Sequence, residues 1–298
     1  MGRVAAVVVT YNRKELLLEC IAQLLAQEGL AEYGVSLHVL VVDNASTDGT
    51  GEALASLSDP RIASYNTGSN LGGAGGFNFG MRKAVEAGYD YLWVMDDDCM
   101  VHPDSLAKLL EADRRLEGEY GWLSSVVRWK DGSLCKMNVQ RHPLLSDIED
   151  FSPALQPCTL ASFVSLFVPS GVVKRFGLPI RDFFIWTDDW EFTRRISRVL
   201  PCYVVGGSVV THASANNGAG TIATDTPERL ERYKFVYRND VVLYREEGLK
   251  GYLYLLARGL YHSASVLFGG GEGKAGKLGI IWKGTFAGFR FHPEIEHV

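Results

Sequence analysis

The sequence predicts an α/β fold, with a mostly parallel sheet flanked by helices and a helical C-terminal extension. Short apolar runs alternate with helical patterns over the first hundred residues, which is the order of a parallel sheet with crossover helices. Polar or acidic residues directly follow three of these runs, and ligands of such sheets bind at the carboxyl ends of strands. With 298 residues and 47% hydrophobic content, the chain can bury one large core and a smaller appendage.

The first strand is predicted at Val4 to Val9, where an unbroken apolar run indicates burial on both faces of a sheet. Asn12 and Glu15 have the spacing of a capping box, which would start the helix that follows. The apolar stripe of that helix consists of Leu17, Ile21, Leu24 and Leu25.

The next units repeat this order. We predict a strand at Leu37 to Val42, a turn at Asp43 to Gly49, a short helix at Thr50 to Leu57 and a strand at Ile62 to Tyr65. Four glycines within five residues predict a loop at Asn70 to Gly76. After it come a helix at Phe77 to Ala87 and a buried strand at Tyr91 to Met95, which ends on three aspartates.

The second half of the chain has weaker patterns. The predicted elements are a helix from about Pro103, a strand at Phe163 to Val168, a helix at Asp188 to Val199, a hairpin or paired short strands at Tyr203 to Thr211, helices from Thr226 to Phe268 and a flexible break at Gly269 to Gly273. We therefore divide the chain into a main domain, residues 1–225, and a helical, basic and aromatic region, residues 226–298.

Composition excludes several classes of protein. A net charge of −5 argues against a nucleic-acid binder, which would be basic. The five cysteines are widely spaced and form no CxxC pair, so neither a disulfide framework nor a zinc site is expected, and a reducing cytoplasm fits. No apolar run is long enough for a membrane span, so we expect a soluble or peripheral protein.

One segment departs from the acidic average. Lys250 to Arg290 contains six basic residues and a single acid, Glu272, so its net charge is +5 and that of the remaining chain is −10. The segment is also rich in tyrosine, phenylalanine and tryptophan. This combination predicts a surface contact, and an anionic membrane is the partner we expect.

The three consecutive carboxylates at the end of the predicted strand repel one another, and a bound cation would offset this repulsion. Alternate residues of an extended segment point the same way, so Asp96 and Asp98 can converge on one ion. Mg²⁺ and Mn²⁺ favour such oxygen ligands and bridge them to substrate phosphates. A solvated acidic turn is the alternative, but two further polar strand ends beside the triplet favour a metal site.

Two other segments have the chemistry of a nucleotide site. Asp43 could accept an N–H from a nucleobase edge, with Thr10 and Asn12 nearby, although a turn-forming aspartate is the simpler interpretation of DNAST. Asn70 and the glycines that follow, including Gly73 and Gly75, would let backbone approach a ligand, although hairpins and linkers use glycine as well.

The motifs VVVTYNR, VVDNASTDGT, NLGGAGGF and VMDDDC, in this order and spacing, resemble the family 2 inverting glycosyltransferases of the GT-A fold. The resemblance is good from residue 4 to about 115 and fair to about 212. Together with WTDDWEF, a histidine in VVTH and a later YRN, the pattern is most similar to bacterial galactofuranosyltransferases, which use UDP-galactofuranose. Rhamnosyltransferases, which use dTDP-rhamnose, share much of it.

The resemblance implies roles for individual residues. Asp43 would bind the uracil; Asp96, Asp98 and His212 would hold Mn²⁺ or Mg²⁺; Asp189 would be the base that deprotonates the acceptor hydroxyl. The donor site would consist of Thr10, Asn12, Arg13, Asp43, Asn70, Gly73, Gly75 and Asp97, and the acceptor site of Asp188, Glu191, Trp186 and Trp190. The acceptor would be a glycan or a lipid-linked glycan at the inner face of the cell membrane.

Some of these residues have structural alternatives. Asp188 and Glu191 also have capping-box spacing, and an isolated histidine such as His212 is more often an ordinary one. Trp186 and Trp190 could stack on sugars or pack in the core. A nucleotidyltransferase is disfavoured, because TYNRKE stands where a glycine-rich turn would be expected, whereas a non-catalytic sugar-nucleotide-binding module stays open until turnover is measured.

Overall fold

The computed structural model describes residues 2–218, 220–269 and 272–298. Its strands are β1 Gly2–Thr10, β2 Val35–Asp43, β3 Ile62–Asn66, β4 Tyr91–Asp96, β5 Cys99–Val101, β6 Leu123–Trp129, β7 Gln156–Pro157, β8 Leu166–Pro169 and β9 Tyr203–His212. Its helices are α1 Lys14–Leu25, α2 Thr50–Ser56, α3 Gly72–Glu86, α4 Ser105–Leu116, α5 Ser170–Phe176, α6 Asp188–Ser197, α7 Pro227–Leu230, α8 Tyr233–Arg245, α9 Gly248–Phe268 and α10 Lys274–Arg290.

The strands form one mixed sheet in the order β3-β2-β1-β4-β8-β6-β9-β5, and β7 pairs with β9 beside this path. The first four strands along the chain, β1 to β4, pair in parallel within this sheet, as predicted. Beyond β4 the pairing becomes mixed, because β8 runs antiparallel to both β4 and β6. The predicted α/β fold is confirmed, with helices on both faces of the sheet.

The continuous apolar run of β1 is explained by the two cores that it separates. Val4, Ala6 and Val8 lie in the core covered by α1 and α4. Ala5 and Val7 face the opposite core, which is covered by α3, α5 and α6. Because successive side chains of a strand alternate between faces, a strand buried on both sides needs apolar residues throughout.

The prediction of a loop at Asn70 to Gly76 is wrong, because α3 begins at Gly72 rather than at Phe77. The glycines permit close packing of this helix instead. A Cβ on Gly76 would lie 2.6 Å from Val9 Cγ1, and one on Gly80 would lie 2.5 Å from Val7 Cγ1. The entropic cost of glycine in a helix is offset by contact with the sheet that a larger residue would prevent.

Both predicted capping boxes are wrong as well. Asn12 has φ of 55°, and its side-chain oxygen accepts the N–H of Thr47, while the free N–H of Lys14 is bound by Asp48 Oδ2 at 3.0 Å. In α6 the N-cap is Thr187, so Asp188 is already helical, and Glu191 pairs with Arg195 at 3.0 Å. In α1 a contact with a distant turn replaces the local cap, and in α6 an i,i+4 ion pair engages the glutamate instead.

Two strands differ from their predicted bounds. Residues 203–212 form one strand rather than a hairpin, and Gly206 to Ser208 are extra residues where the register with β6 shifts. Gly206 produces a bulge instead of a turn because the carbonyls of Phe151 and Pro153 pack against it. The strand predicted from Phe163 starts only at Leu166, since Ser165 has φ of 64°.

The C-terminal region is helical, as predicted, and α10 pairs extensively with α8 and α9. Its residues Tyr233, Tyr237, Val266 and Ile281 form a buried cluster together with Ile222 of the main domain. Part of the predicted break at Gly269 to Gly273 lies outside the described residues, and the boundary at residue 225 stays a prediction. Among the described residues, no helix combines the length and hydrophobicity needed to cross a bilayer.

Candidate active site at the strand ends

Four parallel strands bring polar residues at their ends to one edge of the sheet. Thr10 at the end of β1 pairs with Asp43 at the end of β2, and Asp43 pairs in turn with Asn66 of β3. On the other side of β1, Asp96 at the end of β4 lies opposite Val9. The predicted convergence at the carboxyl edge is confirmed.

The edge contains one compact group of candidate metal ligands. Asp96, Asp98 and His212 each offer a ligand atom, and these atoms lie within 4.8 Å of one another. His212 reaches the group because β9 pairs with β5, which follows Asp98 directly and places Cys99 opposite His212. Two carboxylate oxygens and an imidazole nitrogen suit a divalent cation such as Mn²⁺, so the donor set fits the expected ion.

The pKa values of the three ionisable groups at this site are shifted in different directions. Burial and the neighbouring charge of Asp98 raise the pKa of Asp96 to about 7. Burial also raises the pKa of Asp98, but its hydrogen bond to His212, the charge of His212 and that of Arg13 outweigh burial and leave it below its usual value. For His212, burial lowers the pKa, but hydrogen bonds to Asp98 and Cys135 outweigh it and raise the pKa to about 10.

His212 is oriented by residues that sequence analysis did not identify. Its Nε2 lies 3.0 Å from Asp98 Oδ1, and its Nδ1 lies 2.8 Å from Asn138 Oδ1. Since a neutral Asn138 oxygen can only accept, Nδ1 carries the proton. Asn138 donates to Ser162 Oγ at 2.9 Å and accepts from Cys135 Sγ at 3.1 Å. These residues lie in the irregular segment after β6, where no pattern in the sequence indicates them.

Asp97 belongs to a second set of contacts beside the ligand group. It is 2% exposed and accepts a hydrogen bond from Thr10 Oγ1 at 2.7 Å. The guanidinium of Arg13 bridges Asp97 and Asp98 at 3.1 and 2.7 Å, and half of its side chain remains exposed. Burial raises the pKa of Asp97 to about 6, although Arg13 lowers it in part. Arg13 thus presents a cation between the acidic triplet and solvent.

Asp43 lies buried at the end of β2 with both oxygens engaged. Oδ1 accepts the N–H of Ser46 at 2.8 Å, which is the turn anticipated as the simpler interpretation, and Oδ2 accepts from Asn66 Nδ2 at 3.1 Å. Asn12 meets this loop through Ser46 and Thr47. Asp43 and Asn12, which are predicted to bind the nucleobase, are therefore neighbours joined through the β2–α2 turn.

The glycine segment lies at the same edge. Asn70 caps it, since its side-chain oxygen accepts the N–H of Gly72 at 2.8 Å. Gly73 has open space where a side chain would be, whereas a Cβ on Gly75 would lie 2.6 Å from Leu71 Cβ. The backbone at Gly73 is therefore open to its surroundings, while Gly75 serves packing within the protein.

The second acidic cluster lies at the start of α6. Burial, then the charge of Asp189, raises the pKa of Asp188 well above its usual value, and Asp96 contributes to this rise. Burial also raises the pKa of Asp189 to about 7, against a hydrogen bond from the N–H of Trp190 at 2.7 Å. The pKa of Asp188 is thus raised in part by a carboxylate of the candidate metal-ligand group.

The two tryptophans beside these acids pack against the protein. Trp186 lies against the ring of Tyr233, with centroids 5.3 Å apart, and Trp190 lies under the guanidinium of Arg141 at 4.3 Å. Both side chains are partly exposed. Each has a packing role, and each retains surface that an acceptor could contact.

Known proteins of similar sequence bear on the role of the residues at this edge of the sheet. Residues 5–124 match the family model described as "Glycosyl transferase family 2". The chain is 26% identical to the galactofuranosyltransferase GlfT1 of Mycolicibacterium smegmatis over 263 residues, which cover 83% of this chain and 84% of that protein.

Two solved structures are similar in fold. The mannosyltransferase PcManGT from Pyrobaculum calidifontis, in complex with GDP-Man and Mn²⁺, has a TM-score of 0.59 at 18% identity, covering 97% of this chain and 76% of that one. S. aureus TarS 1-349 in complex with UDP has a TM-score of 0.56 at 15% identity, covering 98% of this chain and 72% of that one. These comparisons show that the chain has the GT-A fold and that residues 5–124 are similar to glycosyl transferase family 2 domains.

Proposed function

We propose that this glycosyltransferase moves galactofuranose from UDP-galactofuranose to a glycan or lipid-linked glycan, with inversion in a single displacement. The observation that carries the proposal is the compact group of Asp96, Asp98 and His212 at the strand ends, within a chain similar over most of its length to a galactofuranosyltransferase. A nucleotide-sugar donor is supported, since similar folds are complexed with UDP and GDP-Man.

The donor would lie along the strand-end edge. Asp43 and Asn12 are assigned to the nucleobase. Asn70 and Gly73 would let the donor approach the backbone. Thr10, Arg13 and Asp97 are assigned to the region of the diphosphate. Gly75 would contribute to the donor site indirectly, through its close packing against Leu71. The exposed half of the Arg13 side chain supports its role, because a guanidinium there can bind phosphate oxygens.

Asp96, Asp98 and His212 would hold Mn²⁺ or Mg²⁺, which when bound would neutralise charge on the departing diphosphate. On the acceptor side, we assign Asp189 as the base that takes the proton from the attacking hydroxyl. Asp188 and Glu191 would orient the acceptor, and Trp186 and Trp190 would contact its sugar faces. A raised pKa near 7 suits a general base at neutral pH.

A transfer assay over a panel of sugar nucleotides, with Mn²⁺ or Mg²⁺, tests the donor. We expect turnover of UDP-galactofuranose above that of every other donor. Turnover of dTDP-rhamnose without turnover of UDP-galactofuranose would replace the proposal with rhamnosyl transfer. If no donor turns over although UDP binds, the chain is a sugar-nucleotide-binding module.

Two substitutions separate metal binding from base catalysis. Asp98→Ala should weaken Mn²⁺-dependent UDP binding and transfer together. Asp189→Asn should keep UDP affinity and lower transfer by about 10² to 10⁴, the usual contribution of a positioned base. Calorimetry with UDP and Mn²⁺, beside initial rates, measures both quantities. Because Asp188 is the neighbouring acid at the start of α6, Asp188→Asn is the comparison that would reassign the base if Asp189→Asn stays active.

We further propose that the protein works at the inner face of the cell membrane, and that α9 is the contacting element. Its outer face carries five exposed leucines at helical spacing: Leu249, Leu253, Leu256, Leu260 and Leu267. Neither α9 nor α10 contains an acidic residue, although the whole chain is acidic. An apolar face flanked by aromatic and basic residues suits the interface of a bilayer that contains anionic lipids.

Co-sedimentation with vesicles of anionic or zwitterionic lipid tests this contact. Leu256→Asp should reduce binding to anionic vesicles, whereas Leu145→Asp, at an equally exposed leucine of another segment, should not. Equal binding by both variants would contradict the proposal. If Leu256→Asp instead changes the molecular mass in solution, a second copy of the chain covers the leucine face and the membrane proposal is wrong.

A further inference from the structure

The turn that precedes the acidic cluster of α6 has an unusual backbone. Phe184, Trp186 and Thr187 have φ values of 65°, 66° and 69°, and none of them is glycine. Phe184 has ψ of −58°, and the N–H of Ile185 donates to the carbonyl of Phe183 at 2.8 Å, which together define a rare type of γ-turn. Such conformations persist only where surrounding contacts enforce them.

The enforcing contacts come from α8, in the segment YRND whose role the sequence left open. Asn239 has no exposed surface, and its side-chain amide donates to the carbonyls of Phe183, Ile185 and Trp186 at 3.1, 3.2 and 3.0 Å. One buried amide thus binds three carbonyls of the turn. A side chain without two N–H donors could not replace it.

Asp240, the next residue, holds the end of the turn. Its Oδ1 accepts the hydroxyl of Thr187 at 2.7 Å, and its Oδ2 pairs with Arg258 of α9 at 2.9 Å. Since Thr187 is the residue directly before Asp188, this bond fixes the point at which α6 begins.

The opposite side of the turn contacts the glycine segment of the donor edge. The N–H of Ala74 donates to the carbonyl of Phe184 at 3.2 Å. A Cβ on Gly72 would lie 2.0 Å from the same oxygen, so only glycine allows this approach. The turn is therefore held between the start of α3 and α8.

We infer that Asn239 and Asp240 are positioning residues, which fix the strained turn of residues 183–187 and so set the direction of Asp188 and Asp189. The inference rests on the proposed function, in which these acids serve the acceptor. Loss of the contacts should let the turn relax and displace the acids while the Mn²⁺ and UDP residues at the strand ends stay in place.

The test uses Asn239→Leu, which keeps the approximate volume and removes both donors. We expect kcat for transfer to fall by about 10²-fold, as for a displacement of about 1 Å, with the Kd for UDP and Mn²⁺ unchanged. The matched control is Leu109→Ala, a fully buried residue of α4 whose core cluster contains no residue of the 183–190 segment. Its loss of thermal stability should leave kcat near that of the original protein.

A second readout does not depend on the reaction. Amide hydrogen exchange in a peptide covering residues 183–190 should accelerate about 10-fold or more in Asn239→Leu and stay unchanged in Leu109→Ala. If no donor turns over at all, the proposed function fails, and this measurement still tests the turn. Unchanged exchange in Asn239→Leu overturns the inference.

Thr187→Val provides a milder variant should Asn239→Leu not fold. It removes the hydrogen bond to Asp240 at constant size, and we expect several-fold lower kcat with an unchanged Kd for UDP. An unchanged kcat, or a kcat loss matched by Leu109→Ala, overturns the inference.

Discussion

At the scale of single residues, the acidic groups differ in how strongly the protein restrains their ionisation. The pKa of Asp189 is raised by burial to about 7, so this carboxyl is protonated in acid and becomes a base as the pH rises through neutrality. Its proposed role as the general base predicts a transfer rate that increases across that pH range.

We therefore predict that kcat/KM for transfer is low at pH 5 to 6, rises through about pH 7 and levels above it. Initial rates with saturating Mn²⁺ at each pH measure the profile. An acidic limb near pH 4 would indicate a carboxylate with an ordinary pKa as the base and would contradict the assignment of Asp189.

The orientation of His212 gives a second prediction at this scale. Asn138→Leu removes the oxygen that accepts the Nδ1 proton of His212. Without this hydrogen bond the imidazole is no longer held with Nε2 facing Asp98. Metal affinity should fall by about 10- to 100-fold, the usual effect of losing such a partner. Mn²⁺ titration followed by electron paramagnetic resonance measures it, with Ser162→Ala, one contact further out, as the comparison. Equal affinity in Asn138→Leu and the original protein would show that His212 is held by other contacts.

These residues also show what sequence can predict. Asp96 and Asp98 were accessible from the chain alone, because they end a buried strand at the edge where ligands bind. His212 lies 114 residues from Asp98 and was reached only through resemblance, since strand pairing rather than chain proximity joins them. Asn138 has no detectable signal, because its partner is defined only in three dimensions.

At the scale of elements, α3 shows how glycine can mislead a prediction. Its glycines suggest a loop by propensity, yet the short distance between helix and sheet requires them. Propensity describes an isolated helix, and the demands of packing override it. The same reason explains Gly206, which permits a bulge in a strand predicted to turn.

Two alanine substitutions in α3 should therefore have opposite effects. Gly80→Ala places a Cβ 2.5 Å from Val7 and 2.8 Å from Val42, and we expect it to destabilise the protein by about 1 to 3 kcal/mol. Gly73→Ala meets no protein atom and should be neutral or stabilise by about 0.5 kcal/mol. Denaturant unfolding measures both.

UDP binding then separates structure from ligand contact at Gly73. We expect Gly73→Ala to bind UDP more weakly despite its retained stability, because the added methyl group fills the space assigned to the donor. Unchanged affinity would remove Gly73 from the donor site.

At the scale of the whole molecule, the C-terminal helices support the side of the protein that carries α6. Glu247, between α8 and α9, pairs with Arg194 of α6 at 2.7 Å and with Arg198 at 2.7 Å. Gly284 and Gly288 of α10 bring that helix against Tyr237 and Val241 of α8. The region predicted as an extension is therefore in direct contact with the helix that carries Asp189.

Truncation before Lys250 should accordingly remove more than a surface contact. It would expose the buried side of α8 and leave Asp240 without Arg258, and an unpaired buried charge is strongly destabilising. We predict an aggregating product or one with a much lower Tm, checked by soluble yield and circular dichroism. A truncated chain with the original Tm would show that residues 1–249 fold independently.

The position of β9 has a consequence for biosynthesis. β9 is the last strand along the chain, yet it lies inside the sheet between β6 and β5. A nascent chain must therefore extend 114 residues beyond Asp98 before His212 can join the aspartates. At roughly 5 to 20 residues per second, this interval lasts on the order of 10 s. During it the acidic triplet exists without His212, so the group of three candidate ligands is complete only when β9 joins the sheet.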